Sequence, residues 1–151
     1  MKSLFYDLGQ HFHYAHWFGP LELHFAVAMA LSIVIGYIIG AERELRGKDA
    51  GISTHILVIV GAMLFTITSS LDLASPSRIA AQVVTGIGFL GAGLIFHADG
   101  GVRNLTTAAS LWVAAGLGIA LGFGLYTIAI VCGVLTALIP RIPKMRRTLD
   151  H

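Results

Sequence analysis

Charged residues are scarce in this 151-residue sequence. Lys, Arg, Asp and Glu together make up 12% of the chain and hydrophobic residues 56%, whereas about a quarter of the residues in a soluble domain are charged. Residues 23–41 and 107–139 contain no charged side chain at all. Apolar runs of this length indicate helices that span a membrane. The composition therefore predicts an all-α integral membrane protein, and it argues against a soluble enzyme or a nucleic-acid binder.

Cysteine is almost absent, and the common catalytic motifs are missing. Cys132 is the only cysteine, so one chain provides neither a disulfide nor a cluster of thiolate metal ligands. We find no GxxxxGKS/T phosphate loop, no HExxH, no Rossmann glycine fingerprint and no nucleophile motif. We therefore expect no enzymatic activity and no cofactor. Lys2 is the only basic residue among residues 1–20, which is unlike a secretory signal peptide, so we expect this segment to be retained.

Five membrane spans are predicted, at residues 21–41, 55–71, 79–97, 106–121 and 124–140. The last two come from dividing one apolar run, which as a single helix would reach about 50 Å and exceed a hydrocarbon core of about 30 Å. Gly122 and Gly124 mark the expected turn. The predicted organisation is one membrane domain at 21–140, preceded by an aromatic segment at 1–20 and followed by a basic tail at 141–151.

The basic residues support an odd number of spans. Five crossings place eight of them on one face: Arg43, Arg46, Lys48, Arg103, Arg141, Lys144, Arg146 and Arg147. Only Lys2 and Arg78 fall on the other face. The positive-inside rule then puts the N-terminus outside and the C-terminus in the cytoplasm. A four-span arrangement ranks second because it loses this asymmetry.

The N-terminal segment is rich in aromatic residues and histidine. Its sequence, SLFYDLGQHFHYAHWF at 3–18, suits the headgroup layer of a membrane, where aromatic rings anchor. We expect it to lie along the outer surface. Histidine also binds metals and titrates near neutral pH, so a metal or proton-sensing site is a second interpretation, although the spacing matches no compact ligand motif. The residues concerned are His11, His13, His16 and His24.

Three clusters of polar residues are candidate functional positions. In the first, Glu42 and Arg43 stand at the end of the first apolar run, where charges need partners or water. Glu42 is expected to pair with Arg46, four residues on. Arg43 is expected to reach either anionic headgroups or a carboxylate of another helix. Ordinary cytoplasmic anchoring is the competing interpretation.

The same cluster continues into the second span. Ser53 or Thr54 is expected to cap this helix, which leaves His55 in its first turn. His55 is interpreted either as a proton-responsive contact or as a satisfied polar residue at a helix start.

The second cluster lies in the third span. Arg78, Gln82 and Thr85 form a polar strip that should face protein and not lipid, either along a water-filled ion path or against a neighbouring helix. Ser75 or Ser77 is expected to cap this helix. Four glycines follow, and they predict a close helix crossing or, alternatively, a break that exposes carbonyls to an ion. They are Gly86, Gly88, Gly91 and Gly93. This span contains no carboxylate, and carboxylates commonly bind magnesium, so the hypothesis of direct magnesium transport is weakened.

The third cluster, at 97–112, is a predicted cytoplasmic turn followed by a helix of small residues. Thr106 or Thr107 is expected to cap this helix, and Trp112 to anchor it. Asp99 and Arg103 lie in the turn, on the same predicted side of the membrane as the first cluster. We therefore predict a charged network at the cytoplasmic face that comprises Glu42, Arg43, His55, Asp99 and Arg103.

Four stretches carry a family resemblance. They are GAERELRGKDAG at 40–51, THILV at 54–58, PSRIAAQVVTGIGFLGAG at 76–93 and LTTAASLW at 105–112. With them, residues 21–140 resemble the hydrophobic N-terminal domain of the MgtC/SapB family. The resemblance implies a bacterial inner-membrane protein with about five spans and a cytoplasmic C-terminus. It also implies a link to low magnesium, acid tolerance and virulence, and regulation of other membrane proteins such as the ATP synthase.

Two positions depart from the family pattern, because members often have Arg at the position of Ser53 and Gly at that of Asn104. Many members also carry a soluble domain after the membrane part. The charged and polar residues that match the signature are Glu42, Arg43, Thr54, His55, Arg78, Gln82, Thr106 and Thr107.

Three functions follow as hypotheses. The first is a non-enzymatic modulator of other membrane proteins, which we expect to form a homodimer or larger assembly through small-residue helix faces. The second is a channel or transporter for magnesium, a monovalent cation or protons, with a path along the third span. The third is a lipid-interacting structural protein.

Overall fold

The computed structural model describes residues 19–71, 77–98 and 101–142. Five α-helices account for most of these residues, and the all-α class is confirmed. In chain order they are α1 Pro20–Leu45, α2 Ile52–Ser70, α3 Arg78–Leu94, α4 Leu105–Gly122 and α5 Tyr126–Leu138. Two three-residue strands, β1 Phe96–Ala98 and β2 Gly101–Arg103, pair antiparallel between α3 and α4. A 3-10 turn, Ile139–Arg141, follows α5.

The helices α2 and α4 form the centre of the bundle. Two GxxxG pairs let backbones approach there, as small residues do in membranes. On α4, a Cβ atom at Gly118 or Gly122 would collide with α2. On α1, Gly36 and Gly40 meet the start of α2 in the same way. Large apolar side chains fill the space between these contacts: Ile35, Ile39, Ile59, Met63, Leu117 and Leu121.

Length and hydropathy separate the helices into two groups. Among the described residues, α1, α2 and α4 are long and apolar enough to cross a membrane, whereas α3 and α5 are shorter apolar helices. At 17 residues, α3 reaches about 26 Å, close to the hydrocarbon thickness. The positions of the five predicted spans are confirmed as helices, and five crossings remain a prediction. Segment 1–18, with His11, His13 and His16, lies outside the described residues.

Several predicted helix boundaries are wrong. The third helix ends at Leu94, so residues 95–97, expected to be helical, instead lead into β1. Ser53 and Thr54 do not cap α2, because its N-cap is Gly51 and the Glu44 carboxylate accepts a hydrogen bond from the Ile52 N–H at 2.9 Å. Both predicted cap residues lie inside the first turn.

The start of α4 also differs from the prediction. Its N-cap is Asn104 and neither Thr106 nor Thr107. Asn104 has a φ of 62°, a left-handed conformation that glycine and asparagine tolerate best. Its side-chain amide donates to Asp49 at 2.5 Å. Asn104, which stands where family members often have glycine, therefore keeps the left-handed backbone conformation and adds a hydrogen bond to the α1–α2 loop.

Candidate functional site

A buried ion pair lies where α1 ends. Glu42 and Arg43 are only 7% and 3% exposed, and the Nε of Arg43 donates to Glu42 Oε2 at 2.7 Å. The other carboxylate oxygen, Oε1, is in salt-bridge contact with Arg46 but without hydrogen-bond geometry. The predicted Glu42–Arg46 pair is present. Within the described residues the carboxylate partner of Arg43 is the adjacent Glu42 and not a carboxylate of another helix. Contact of Arg43 with an anionic headgroup stays a prediction.

His55 lies next to this pair and is fully buried. Its Nδ1 is 2.8 Å from the carbonyl of Gly51, and its Nε2 is 3.1 Å from the hydroxyl of Ser110 on α4. A carbonyl only accepts, so Nδ1 carries a hydrogen. The Ser110 hydroxyl is also 2.8 Å from the carbonyl of Thr107. Ser110 was predicted only as a small packing residue and not as a hydrogen-bond partner, although it stands three residues after Thr107 on one helix face.

The direction in which the Ser110 hydroxyl donates its hydrogen is linked to the protonation state of His55. If its hydrogen is donated to Nε2, both ring nitrogens of a neutral His55 are hydrogen-bonded. If it is donated to the Thr107 carbonyl, Nε2 forms a hydrogen bond with the hydroxyl only when His55 is cationic. Glu42 and Arg43 are close enough for their charges to act on His55. Thr107 adds a fully buried hydroxyl with no hydrogen-bond partner among the described residues.

The predicted charged network is present only in part. The structure brings Glu42, Arg43 and His55 together. Arg103, on β2, is exposed and has no ion-pair partner in the described part of the chain. Asp99 lies outside the described residues.

The residues of the predicted polar strip of α3 are exposed. Arg78, Gln82 and Thr85 all have exposed side chains, so the strip is not buried between two helices of this chain. Gln82 and Thr54 lie on opposite walls of a groove of about 610 Å³ between α2 and α3. Only Ala80 and Ile87 of α3 are buried.

The predicted helix crossing at the α3 glycines is wrong inside the chain. A Cβ atom at Gly86, Gly88 or Gly93 would meet no atom within 4 Å, and one at Gly91 would make only an ordinary contact. The close crossings instead use the GxxxG pairs of α1 and α4. Trp112 on α4 is exposed, and Thr106 is also exposed.

A separate polar contact joins the other end of the bundle. His24 Nδ1 is 2.5 Å from the hydroxyl of Tyr126, and its Nε2 is 3.1 Å from the carbonyl of Gly122. Both ring nitrogens of His24 therefore have protein partners. No group of three metal-ligating side chains occurs within residues 19–71, 77–98 and 101–142.

Comparisons with known proteins agree on one family. The model of the MgtC family matches residues 29–146. The chain is 42% identical over 129 residues to the putative magnesium transporter YhiD of Escherichia coli K12, which covers 79% of this chain and 60% of that protein. It is 48% identical over 113 residues to Protein MgtC of Brucella abortus, covering 74% of this chain and 48% of that one.

A third relative, Protein MgtC of Salmonella typhimurium, is 43% identical over 119 residues, with 74% and 52% of the two chains covered. The chain thus spans about half to three fifths of the length of these relatives. No solved structure matches.

Proposed function

The chain belongs to the MgtC family, and we propose that it is a non-enzymatic protein that modulates other membrane proteins during low-magnesium, acid or host-imposed stress. The proposal places it in the bacterial inner membrane with its N-terminus outside and its C-terminus in the cytoplasm, as the distribution of basic residues favours. The ATP synthase is one partner that the family resemblance implies.

The observation that supports this proposal is the exposed face of α3. This helix leaves Gln82 and Gly86 uncovered beside the α2–α3 groove. Lipid tails offer no hydrogen bond to an amide, whereas a helix of another protein does, and glycine lets that helix approach closely. The face is therefore suited to the transmembrane helix of a partner protein.

Site-specific crosslinking tests this contact. In a Cys132→Ser background, a photoactivatable benzophenone is attached to Gln82→Cys in native membranes. Phe25→Cys is the matched control, since it lies in the second turn of α1 as Gln82 does in that of α3, and is also exposed. We expect a crosslink to a second membrane protein from position 82 but not from position 25.

Two further measurements test whether the crosslink reports a functional contact. A Gly86→Leu substitution should abolish the crosslink without unfolding the chain, because a Cβ atom there meets no atom of this chain. The activity of the partner protein identified by the crosslink should change when this chain is added to that partner in liposomes. Crosslinks to lipid only would contradict the proposal, and crosslinks to a second copy only would assign the face to a homodimer.

Ion transport is the second candidate function. A relative at 42% identity is named as a putative magnesium transporter, and Gln82 lies on the wall of a groove with Thr54. A transporter should lose flux in Gln82→Leu, whereas a protein that acts by contact should carry no flux to lose.

A further inference from the structure

A basic recess opens at the end of the bundle that holds the buried ion pair. It lies between the end of α1, the first turns of α4 and the end of α5, and its volume is about 660 Å³. Small-molecule sites have volumes of about 300–1,000 Å³. The polar side chains that line it are Arg43, Arg46, Lys48, Thr106, Ser110 and Thr136.

Arg43 is built into the wall of this recess. Its side chain is only 4% exposed, yet it lines the recess. Of its five N–H donors, only Nε is hydrogen-bonded within the described part of the chain, to Glu42. The two terminal amino groups of a nine-tenths buried guanidinium are thus left for an occupant. A planar pair of donors of this kind matches two oxygens of a phosphate.

The charge of the recess favours an anion. Arg43, Arg46 and Lys48 line it, and Glu42 is the only carboxylate in salt-bridge contact with any of them among the described residues. An excess of positive charge therefore remains. Thr106 brings the first turn of α4 to the same wall, where backbone N–H groups and the helix dipole favour negative charge.

The remaining walls are apolar. Val113, Ile139 and Ile142 continue the recess away from the basic residues. Ile139 and Ile142 are exposed in a chain whose apolar surface contacts lipid. An occupant with a phosphate at one end and hydrocarbon at the other would satisfy both parts of the lining.

We propose that the basic recess binds a phosphate group, with its donors supplied by Arg43, Arg46 and Lys48. The apolar walls favour the headgroup of an anionic phospholipid as the source, and a soluble phosphate is the alternative source of the same chemistry. The site does not depend on the α3 contact of the proposed function, since the two lie on different helices.

Native mass spectrometry of the purified full chain in neutral detergent tests the site. The probes are phosphatidylglycerol, diacylglycerol without phosphate, and inorganic phosphate as a competitor. Arg46→Gln and Lys48→Gln are chosen because both residues are exposed, so the variants should fold. Arg103→Gln is the matched control, since it removes one positive charge at the same end but does not line the recess.

We expect Arg46→Gln and Lys48→Gln each to weaken phosphatidylglycerol binding by about tenfold, the usual effect of losing one charge-assisted hydrogen bond. Arg103→Gln should leave binding unchanged. Competition by inorganic phosphate would identify a soluble source, and its failure would identify the lipid. Equal binding of diacylglycerol, equal weakening by Arg103→Gln, or binding of neither phosphate probe would overturn the proposal.

Discussion

The buried carboxylate of Glu42 should be essential to the stability of the bundle. Replacing Glu42 by Gln keeps the shape of the side chain but leaves Arg43, which is 3% exposed, without a counter-charge. Removing one partner of a buried ion pair typically costs about 3–5 kcal/mol. The free energy of unfolding, measured by titration with denaturing detergent in mixed micelles, should fall by about this amount.

Arg46 provides the internal comparison. It contacts the same carboxylate, but its side chain is 42% exposed, and an exposed pair contributes about 0–1 kcal/mol. Arg46→Gln should therefore cost no more than this. A double variant, Glu42→Leu with Arg43→Met, should recover most of the stability lost in Glu42→Gln, because no charge then remains buried.

Either of two results would show that burial of the Glu42–Arg43 pair is not what stabilises the bundle. One is a smaller loss in Glu42→Gln than in Arg46→Gln, which would mean that burial does not set the energy of the pair. The other is a double variant less stable than Glu42→Gln, which would mean that the unpaired charge is not the source of the cost.

Three further predictions concern packing, hydrogen bonding and backbone conformation. Gly118→Leu should destabilise the bundle by about 1–3 kcal/mol or prevent folding, since it drives a side chain into α2, whereas Gly88→Leu should be tolerated; comparable melting temperatures for the two would contradict the crossing. Ser110→Ala should cost about 1–3 kcal/mol because it removes the hydroxyl partner of buried His55, and an unchanged unfolding curve would show that this hydrogen bond is not formed. Asn104→Gly should stay within about 1 kcal/mol of the parent, and Asn104→Val should lose about 1–3 kcal/mol through backbone strain, so equal stabilities of these two variants would exclude the left-handed cap.

Much of the fold follows from the sequence because the bilayer imposes a simple constraint. Long uncharged runs must form helices, and this places five helices within a few residues of their true bounds. The Glu42–Arg46 contact was also predictable, since residues four apart share a helix face. The hydrogen bond from Arg43 to Glu42 was not predictable, because adjacent residues of a helix point in different directions and their side chains meet only where the surrounding packing favours it.

The glycines show where sequence reasoning fails. The high density of glycine in α3 predicted a close helix crossing there, but glycine only permits approach and does not choose the neighbour. The contacts are made by Gly36, Gly40, Gly118 and Gly122, whose GxxxG spacing is visible in the sequence and was the better signal. The cap of α2 was missed because the residue that accepts the hydrogen bond of the Ile52 N–H, Glu44, lies on the preceding helix and not at the start of α2.

Ion flux through the purified protein in sealed liposomes distinguishes a protein that acts by contact with other membrane proteins from a transporter. Flux of magnesium, protons, sodium and potassium would be followed under an imposed gradient, with folded and correctly inserted protein and with Gln82→Leu alongside. If the chain acts by contact, neither form should show flux above that of protein-free liposomes. Selective flux that disappears in Gln82→Leu would instead establish a transporter.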